Sequence, residues 1–269
     1  MTIQTKNYTL GRGKLYFAKF LTGTQNTNGE RYIGNTPALG LKFDATMLDH
    51  YDSDQGIKEK DNSITLQVNR EGSFTTDNVS PENLALLFFG STDVLTVTGA
   101  TVTGETFTAV HTGVTYQLGV TPANPAGARG IVYPGAAGTA FKVTDDAGSP
   151  ATFAAGTDYK FDPATGRLEI LEGGAIMDGT TNLKVTYTTE TKSQQRVISG
   201  SNPVEGLMRF ISANPAGKDM DYLLPWVKLT PDGDFTLKGD EWQQLKFKVE
   251  VLKRTGYEAL YINGRPEGA

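Results

Sequence analysis

An all-β fold with one short helix is what this chain predicts: a host β-sandwich or barrel carrying a second, inserted β-sandwich. Three observations point there. Long segments at both ends alternate apolar and polar residues with a period of two, the signature of strands with one buried and one wet face. Between residues 91 and 194 the strand candidates become short, rich in Thr, Val, Gly and Ala, and separated by turn residues. Only Ser80–Gly90 carries convincing helix signals.

The N-terminal flank predicts strands at Lys14–Phe20, Ala38–Leu48 and Ser63–Phe74. In the last of these Ile64, Leu66 and Val68 oppose Thr65, Gln67 and Asn69. Between the second and third strands, Asp49–Lys60 reads as an acidic-polar loop.

The helix follows. Ser80 suits the N-cap, Pro81 the first helical position and Glu82 the positive end, while Gly90 suits the closing left-handed residue. Leu84, Leu87 and Phe88 fall on one face, with Leu86 and Phe89 elsewhere. Isolated helices need roughly 12–15 residues to persist in water, so this one depends on cover from both sides. Either it plugs the core of its own domain or a neighbouring subunit covers what a sheet does not.

Next comes the inserted block, residues 91–194. Its strand candidates are Thr106–Val110, Val114–Val120, Gly130–Tyr133, Thr139–Thr144, Asp158–Phe161, Arg167–Leu171 and Leu183–Thr188. Many short strands in about a hundred residues read as an immunoglobulin-like sandwich in architecture only. Both tryptophans, Trp226 and Trp242, lie outside the block, and the chain has no cysteine. Its clearest unit is a hairpin whose turn Asp162-Pro163-Ala164-Thr165-Gly166 joins Tyr159–Phe161 to Leu168 and Ile170. An insertion of this kind leaves residues 1–90 and 195–269 as one discontinuous host and brings Gly90 close to Gln195.

The host resumes with strands at Glu205–Ala213, Met220–Leu229, Phe235–Lys238 and Glu241–Arg254. Leu245, Phe247, Val249 and Val251 share one face of the last strand; Gln244, Lys246, Lys248 and Glu250 share the other.

Composition excludes several classes of function. The 269 residues are 38% hydrophobic and 20% charged with a net charge of −5. Residues 93–192 carry 10 acidic and 6 basic side chains, so −4 of that charge sits in the insert and −1 elsewhere. That is not the balance of a protein that grips nucleic-acid phosphates. Absent cysteine removes disulfides, thiol catalysis and thiolate metal sites. The start lacks a basic stretch followed by an apolar core, and no apolar run approaches the 18 or so residues that span a bilayer. Neither a secretory signal nor a membrane span is expected.

Chemistry is equally sparse. His50 and His111 occupy unrelated segments, which disfavours a histidine metal site or catalytic triad. Asp52-Ser53-Asp54-Gln55-Gly56 has Gly where a calcium loop needs its third oxygen ligand, so it reads as a turn. Gly11-Arg12-Gly13 is too short for a dinucleotide fingerprint. No enzyme, cofactor or metal is expected.

Three segments are more informative: Gly11-Arg12-Gly13-Lys14-Leu15-Tyr16-Phe17, Thr36-Pro37-Ala38-Leu39-Gly40-Leu41-Lys42-Phe43 and Ile64-Thr65-Leu66-Gln67-Val68-Asn69-Arg70-Glu71-Gly72. Together with the Ser80–Gly90 helix they resemble the major tail tube proteins of long-tailed, non-contractile bacteriophages. The likeness covers most of residues 10–90 and, more loosely, 204–263; the insert resembles the decoration domains of some tails. The resemblance implies a virion protein with a tail-tube β-sandwich or barrel fold, assembled in the bacterial cytoplasm. It implies hexameric rings stacked into a hollow tube through which viral DNA is ejected without specific binding. Tape-measure, tail-terminator and baseplate proteins would be the other partners.

The resemblance also assigns residues. The inter-ring loop would use Asp49, Tyr51, Asp52, Asp54, Lys58, Glu59 and Lys60, unless that stretch is merely a solvated loop. A subunit-interface helix would use Leu84, Leu86, Leu87, Phe88 and Phe89. Candidates to face the lumen are Thr65, Gln67, Asn69, Lys246, Lys248 and Glu250. The competing reading is a secreted or cell-surface β-sandwich adhesin that binds glycan or protein.

Overall fold

The computed structural model describes residues 7–54, 56–133 and 141–266. It is an all-β protein with one short helix, and the chain divides into two compact units, residues 1–93 with 196–269 and residues 94–195. Sequence-based boundaries at 90/91 and 194/195 lie within three residues of these.

The discontinuous unit is built on one antiparallel sheet. In chain order its strands are β1 (Gly13–Lys19), β2 (Arg31–Tyr32), β3 (Ala38–Asp52) and β4 (Glu59–Thr76) before the helix α1 (Pro81–Leu87). After the insert come β13 (Val204–Ser212), β14 (Met220–Pro231), β15 (Leu245–Val251) and β16 (Tyr261–Gly264). They pair in the order β2-β1-β13-β14-β15-β4-β3, with β16 also on β14. Alternation puts Leu245, Phe247 and Val249 of β15 inside and Lys246, Lys248 and Glu250 outside. The inner side chains join Leu15, Phe17, Phe74, Met208, Leu224 and Leu229 in one core, where the Phe74 and Phe247 rings stack 4.8 Å apart.

Two expected features differ. Phe235–Lys238 is not a strand: Phe235 alone packs on the core, edge-on to Phe88 at 6.1 Å, and the segment has no second inward anchor. β15 accordingly begins at Leu245, not Glu241. Strands β2 and β16 have only two and four residues, too few to show a period in the sequence.

The helix is capped as its sequence dictates at the start and differently at the end. Ser80 is extended and accepts a hydrogen bond from the Asn83 amide at 3.2 Å. Buried Asn83 donates to the carbonyls of Ile33 and Asn78 and accepts from Arg31, tying the helix to the chain before β3. At the C-terminus the Gly90 amide reaches the Ala85 carbonyl at 2.8 Å and the Phe89 amide reaches Leu86 at 3.4 Å, the two bonds of a Schellman motif. The left-handed residue is therefore Phe89, with φ of 52°, and not Gly90. Phe89 accepts that conformation, which costs a β-carbon residue about 1–2 kcal/mol, while its ring packs on the core. Gly90 is needed for another reason: a Cβ there would lie 1.9 Å from the Ile198 carbonyl oxygen.

Residues 94–195 form a separate sandwich. Strands β5 (Ser91–Val97) and β12 (Lys192–Ile198), where the chain leaves and re-enters the first unit, pair as a two-stranded sheet. Between them lie β6 (Thr101–Phe107), β7 (Thr115–Gln117), β8 (Phe141–Asp145), β9 (Tyr159–Asp162), β10 (Arg167–Ile170) and β11 (Leu183–Thr188). Sheets β6-β11-β8 and β7-β10-β9 share one core that includes Val143, Tyr159, Leu168, Ile170, Leu183, Val185 and Tyr187. The β9–β10 turn forms as expected, with Gly166 at φ 70° and its amide on the Asp162 carbonyl at 2.8 Å.

Several expected strands shift. The one at Thr106–Val110 ends by Phe107, because Ala109 turns to positive φ. Val114–Val120 shortens to β7, and Gly130–Tyr133 reduces to a single bridge between Ile131 and Thr189. The candidate Thr139–Thr144 begins at residues outside those described. Each sheet has three described strands, against the four and three of an antibody constant domain.

Gly90→Ala sets two backbone segments against each other and is expected to destabilise the first unit by about 1–3 kcal/mol. Thermal melting of the variant checks this; an unchanged transition would mean that the 89–90 and 198–200 segments separate freely.

Candidate functional site: an unpartnered hairpin

β3 and β4 pair along their whole length, from Ala38 opposite Thr75 to Asp52 opposite Glu59. β15 accompanies β4 only over Glu71–Thr76. The remaining 12 residues of β4, Glu59–Arg70, have β3 on one side and no strand on the other. At about 3.3 Å per residue they extend roughly 40 Å as a two-stranded ribbon.

Half of the expected loop over Asp49–Lys60 is thus strand, Asp49–Asp52 in β3 and Glu59–Lys60 in β4, and the described residues 53, 54 and 56–58 lie outside both strands. The alternation of β3 continues through Tyr51, and charged side chains in that stretch pair across the ladder. Asp49 bonds Lys60 at 2.6 Å and Ser63 at 2.7 Å, and His50 Nδ1 meets Asp61 at 2.5 Å. These contacts, Lys60 first for Asp49 and His50 for Asp61, hold both carboxyls below the usual aspartate range. The amide of Asp54 bonds the Asp52 side chain at 2.9 Å, a turn contact. Asp52, Asp54, Lys58 and Glu59 remain exposed at the tip, and Tyr51 is exposed beside it.

Two register shifts change what each face carries. Thr46 opposes Gln67 but Met47 opposes Thr65, so Leu66 is the residue passed over. Ile64 then stands opposite Leu48 and shares a face with Gln67 and Asn69, while Thr65 moves to the Met47 face, where its hydroxyl reaches Met47 Sδ at 3.2 Å. A strict period of two puts Thr65 with Gln67 and Ile64 with Leu66; the bulge separates both pairs. Exposed apolar residues therefore occur on both sides of the ribbon, one of them otherwise polar. One face has Phe43, Met47 and Val68; the other has Leu48 and Ile64, and these last two are 54% and 53% exposed.

The remaining lumen candidates stay together. Gln67, Asn69, Glu71, Ser73 and Thr75 alternate along β4, and β15 sets Glu250, Lys248 and Lys246 opposite Glu71, Ser73 and Thr75. Lys248 pairs with Glu71 at 3.3 Å. The face is polar and nearly balanced in charge.

The helix residues do not form a surface. Leu86 and Leu87 are buried in the core of their own unit, Leu84 and Phe89 pack partly against it, and only Phe88 is exposed, at 41%. The expectation of a subunit-interface helix is corrected accordingly. The short helix has buried Asn83 as a tether and the Schellman turn as a clamp, so its own sheet and the segment at Ile198–Gly200 cover it. The unpartnered apolar surface is on the hairpin, and the signal for it was a ladder too long for the rest of the sheet.

Among the described residues no cluster of three or more His, Asp or Glu is placed to hold a metal ion, and no helix is long and apolar enough to cross a membrane. Residues 8–259 match the profile of the family described as "Protein of unknown function UCP028589". No curated protein matches the chain.

Because the Asp49 and Asp61 carboxyls are depressed, the pairing they support is complete above the ordinary aspartate value of 3.8 and is lost as pH falls through their lower values. NMR titration of both carboxyls is expected to give midpoints below 3.8. A midpoint at or above it would mean that the cross-ladder pairs are not populated in solution.

Proposed function

The chain belongs to this family, and on that premise we propose that it is a structural subunit that polymerises with copies of itself, as the tail tube protein of a long-tailed bacteriophage. One observation carries the reading: a ribbon roughly 40 Å long, with exposed apolar residues on both faces and with one strand edge of β4 and one of β3 unpaired. A lone two-stranded hairpin is marginal in water, and an exposed apolar edge invites pairing with another chain. A neighbouring subunit resolves both problems.

Magnitude favours many contacts over one. Leu48, Ile64, Leu66, Val68, Phe43 and Met47 are each about half exposed. Completing their burial contributes on the order of 5–9 kcal/mol, at about 1.5–3 for a whole side chain. Bringing two proteins together costs an estimated 4–15 kcal/mol. One hairpin contact is therefore near balance, whereas a subunit held by neighbours within and between rings is not. Hexameric rings stacked into a tube are the arrangement that the resemblance supplies.

The polar face of β4 and β15 suits a bore for DNA. Gln67, Asn69, Glu71, Lys246, Lys248 and Glu250 offer hydrogen-bonding groups without a surplus of cations, so phosphates meet no run of binding sites. Residues 94–195 would be the decoration domain. Tape-measure, terminator and baseplate proteins would meet the tube at its ends and interior.

Electron microscopy of the purified chain tests this. Rings or hollow tubes are expected, and Leu48→Asp with Ile64→Lys is expected to leave the melting temperature within a few degrees while abolishing them. Wild-type protein that stays monomeric at high concentration would overturn the reading and favour an adhesin.

A further inference from the structure

The chain contains two Asn-Gly pairs, Asn28-Gly29 and Asn263-Gly264. Such pairs carry a latent reaction of their own. The glycine amide nitrogen can attack the asparagine Cγ, because glycine has no Cβ to obstruct a close approach. The ring closes only when that amide swings back over the side chain. Backbone conformation therefore decides which pair reacts, and the two lie in contrasting settings.

Asn263 and Gly264 end β16, where they stand opposite Asp221 and Met220 of β14. Extended backbone, with ψ near about +135°, points the next amide away from the residue's own side chain. The following residue is also held, since Arg265 donates to Asp219 at 3.0 Å, to Asp221 at 3.1 Å and to the Ser212 carbonyl. Asn263 can form the ring only when β16 detaches.

Asn28 and Gly29 have no such restraint. Both are exposed, lie between β1 and β2, and follow a single bridge from Thr27 to Phe20. Among the described residues neither the Asn28 carboxamide nor the Gly29 amide has a hydrogen-bond partner. Gly29 has φ of 118°, and nothing lies within 4 Å of where its Cβ would be. The recess that both residues line also presents Lys19 and Arg31 against one carboxylate, Glu82. A surplus of positive charge favours the deprotonated amide that attacks. Glu30, whose carboxylate would oppose it, is paired with Arg209 at 2.9 Å.

We propose that Asn28 is a site of spontaneous deamidation through a succinimide. Gly29 N bonds to Asn28 Cγ; the Gly29 amide gives up its proton, and the side-chain nitrogen takes one and leaves as ammonia. Water then opens the ring at either carbonyl, leaving aspartate at this position or isoaspartate, in which the main chain runs through Cγ. Either product adds one negative charge to the recess of Lys19 and Arg31. Isoaspartate also lengthens the main chain between the Thr27 bridge and the Glu30–Arg209 pair. The reaction needs one chain and water alone, so it does not depend on the assembly reading.

Incubating the dilute purified chain at mildly alkaline pH, with tryptic peptides followed by mass, tests this. The peptide of residues 20–31, released by cuts after Lys19 and Arg31, is expected to show an amide-to-acid exchange at Asn28, divided between aspartate and isoaspartate. In the same folded sample Asn263 is expected to react at least about tenfold more slowly, because its near-attack geometry is withheld. In denaturant the two rates are expected to converge. Asn28→Gln, whose longer side chain must close a larger ring, is expected to remove the signal with unchanged melting. Asn28 reacting no faster than Asn263 in the folded chain overturns the proposal, as does a rate gap that survives unfolding.

Discussion

The constraint on which the rest depends is that a sheet ladder must end somewhere, and this one ends with β3 and β4 extending far beyond their neighbours. Over Glu71–Thr76 strand β4 is flanked on both sides and Phe74 lies in the core. Past Arg70 the same strand loses β15, and every large apolar residue from there to the turn is exposed. A ladder that only satisfied its own hydrogen bonds would have no reason to alternate Leu, Ile, Val and Met along that extension. Cross-strand contacts such as Asp49–Lys60 and His50–Asp61 keep the ribbon in register. Exposed pairs of this kind contribute only about 0–1 kcal/mol each, so they align the ribbon more than they stabilise it.

Much of this was legible in the sequence, for identifiable reasons. β15 was readable because its period of two is unbroken from Leu245 to Val251, and the helix because Ser80, Pro81 and Glu82 each satisfy a different requirement of a helix start. The β9–β10 turn was readable because Asp162, Pro163 and Gly166 specify its geometry. What failed did so where long-range packing overrode local pattern. Leu86 and Leu87 appeared to need a partner chain because seven helical residues cannot tell whether one sheet or two surfaces cover them. Their cover comes from Asn83 bonding back to Ile33, and from Ile198 meeting Gly90 across more than a hundred residues.

The bulge at Leu66 was illegible for a simpler reason. A period of two has no mark for a skipped residue, and one skip exchanges the faces of everything beyond it. Thr65 left the polar face and Ile64 joined it, which converts an expected one-sided strand into a ribbon with apolar residues on both sides. The shift strengthens the inference of assembly: a strand with all its apolar residues on one face can lie against its own domain, whereas this ribbon also leaves Leu48 and Ile64 exposed among the polar residues of the other face. Half of the expected loop at Asp49–Lys60 is strand for a similar reason, because charge density hid strand ends whose ionic residues pair across the ladder.

The unpartnered hairpin also bears on the geometry of assembly. The ribbon is extended by pairing, so it addresses neighbours at a distance of several strand widths. Its free strand edges and its exposed apolar side chains point in different directions, so more than one neighbour can meet it. Each contact can then be individually weak, because a subunit in the lattice is held by several at once and leaves only when all are broken together.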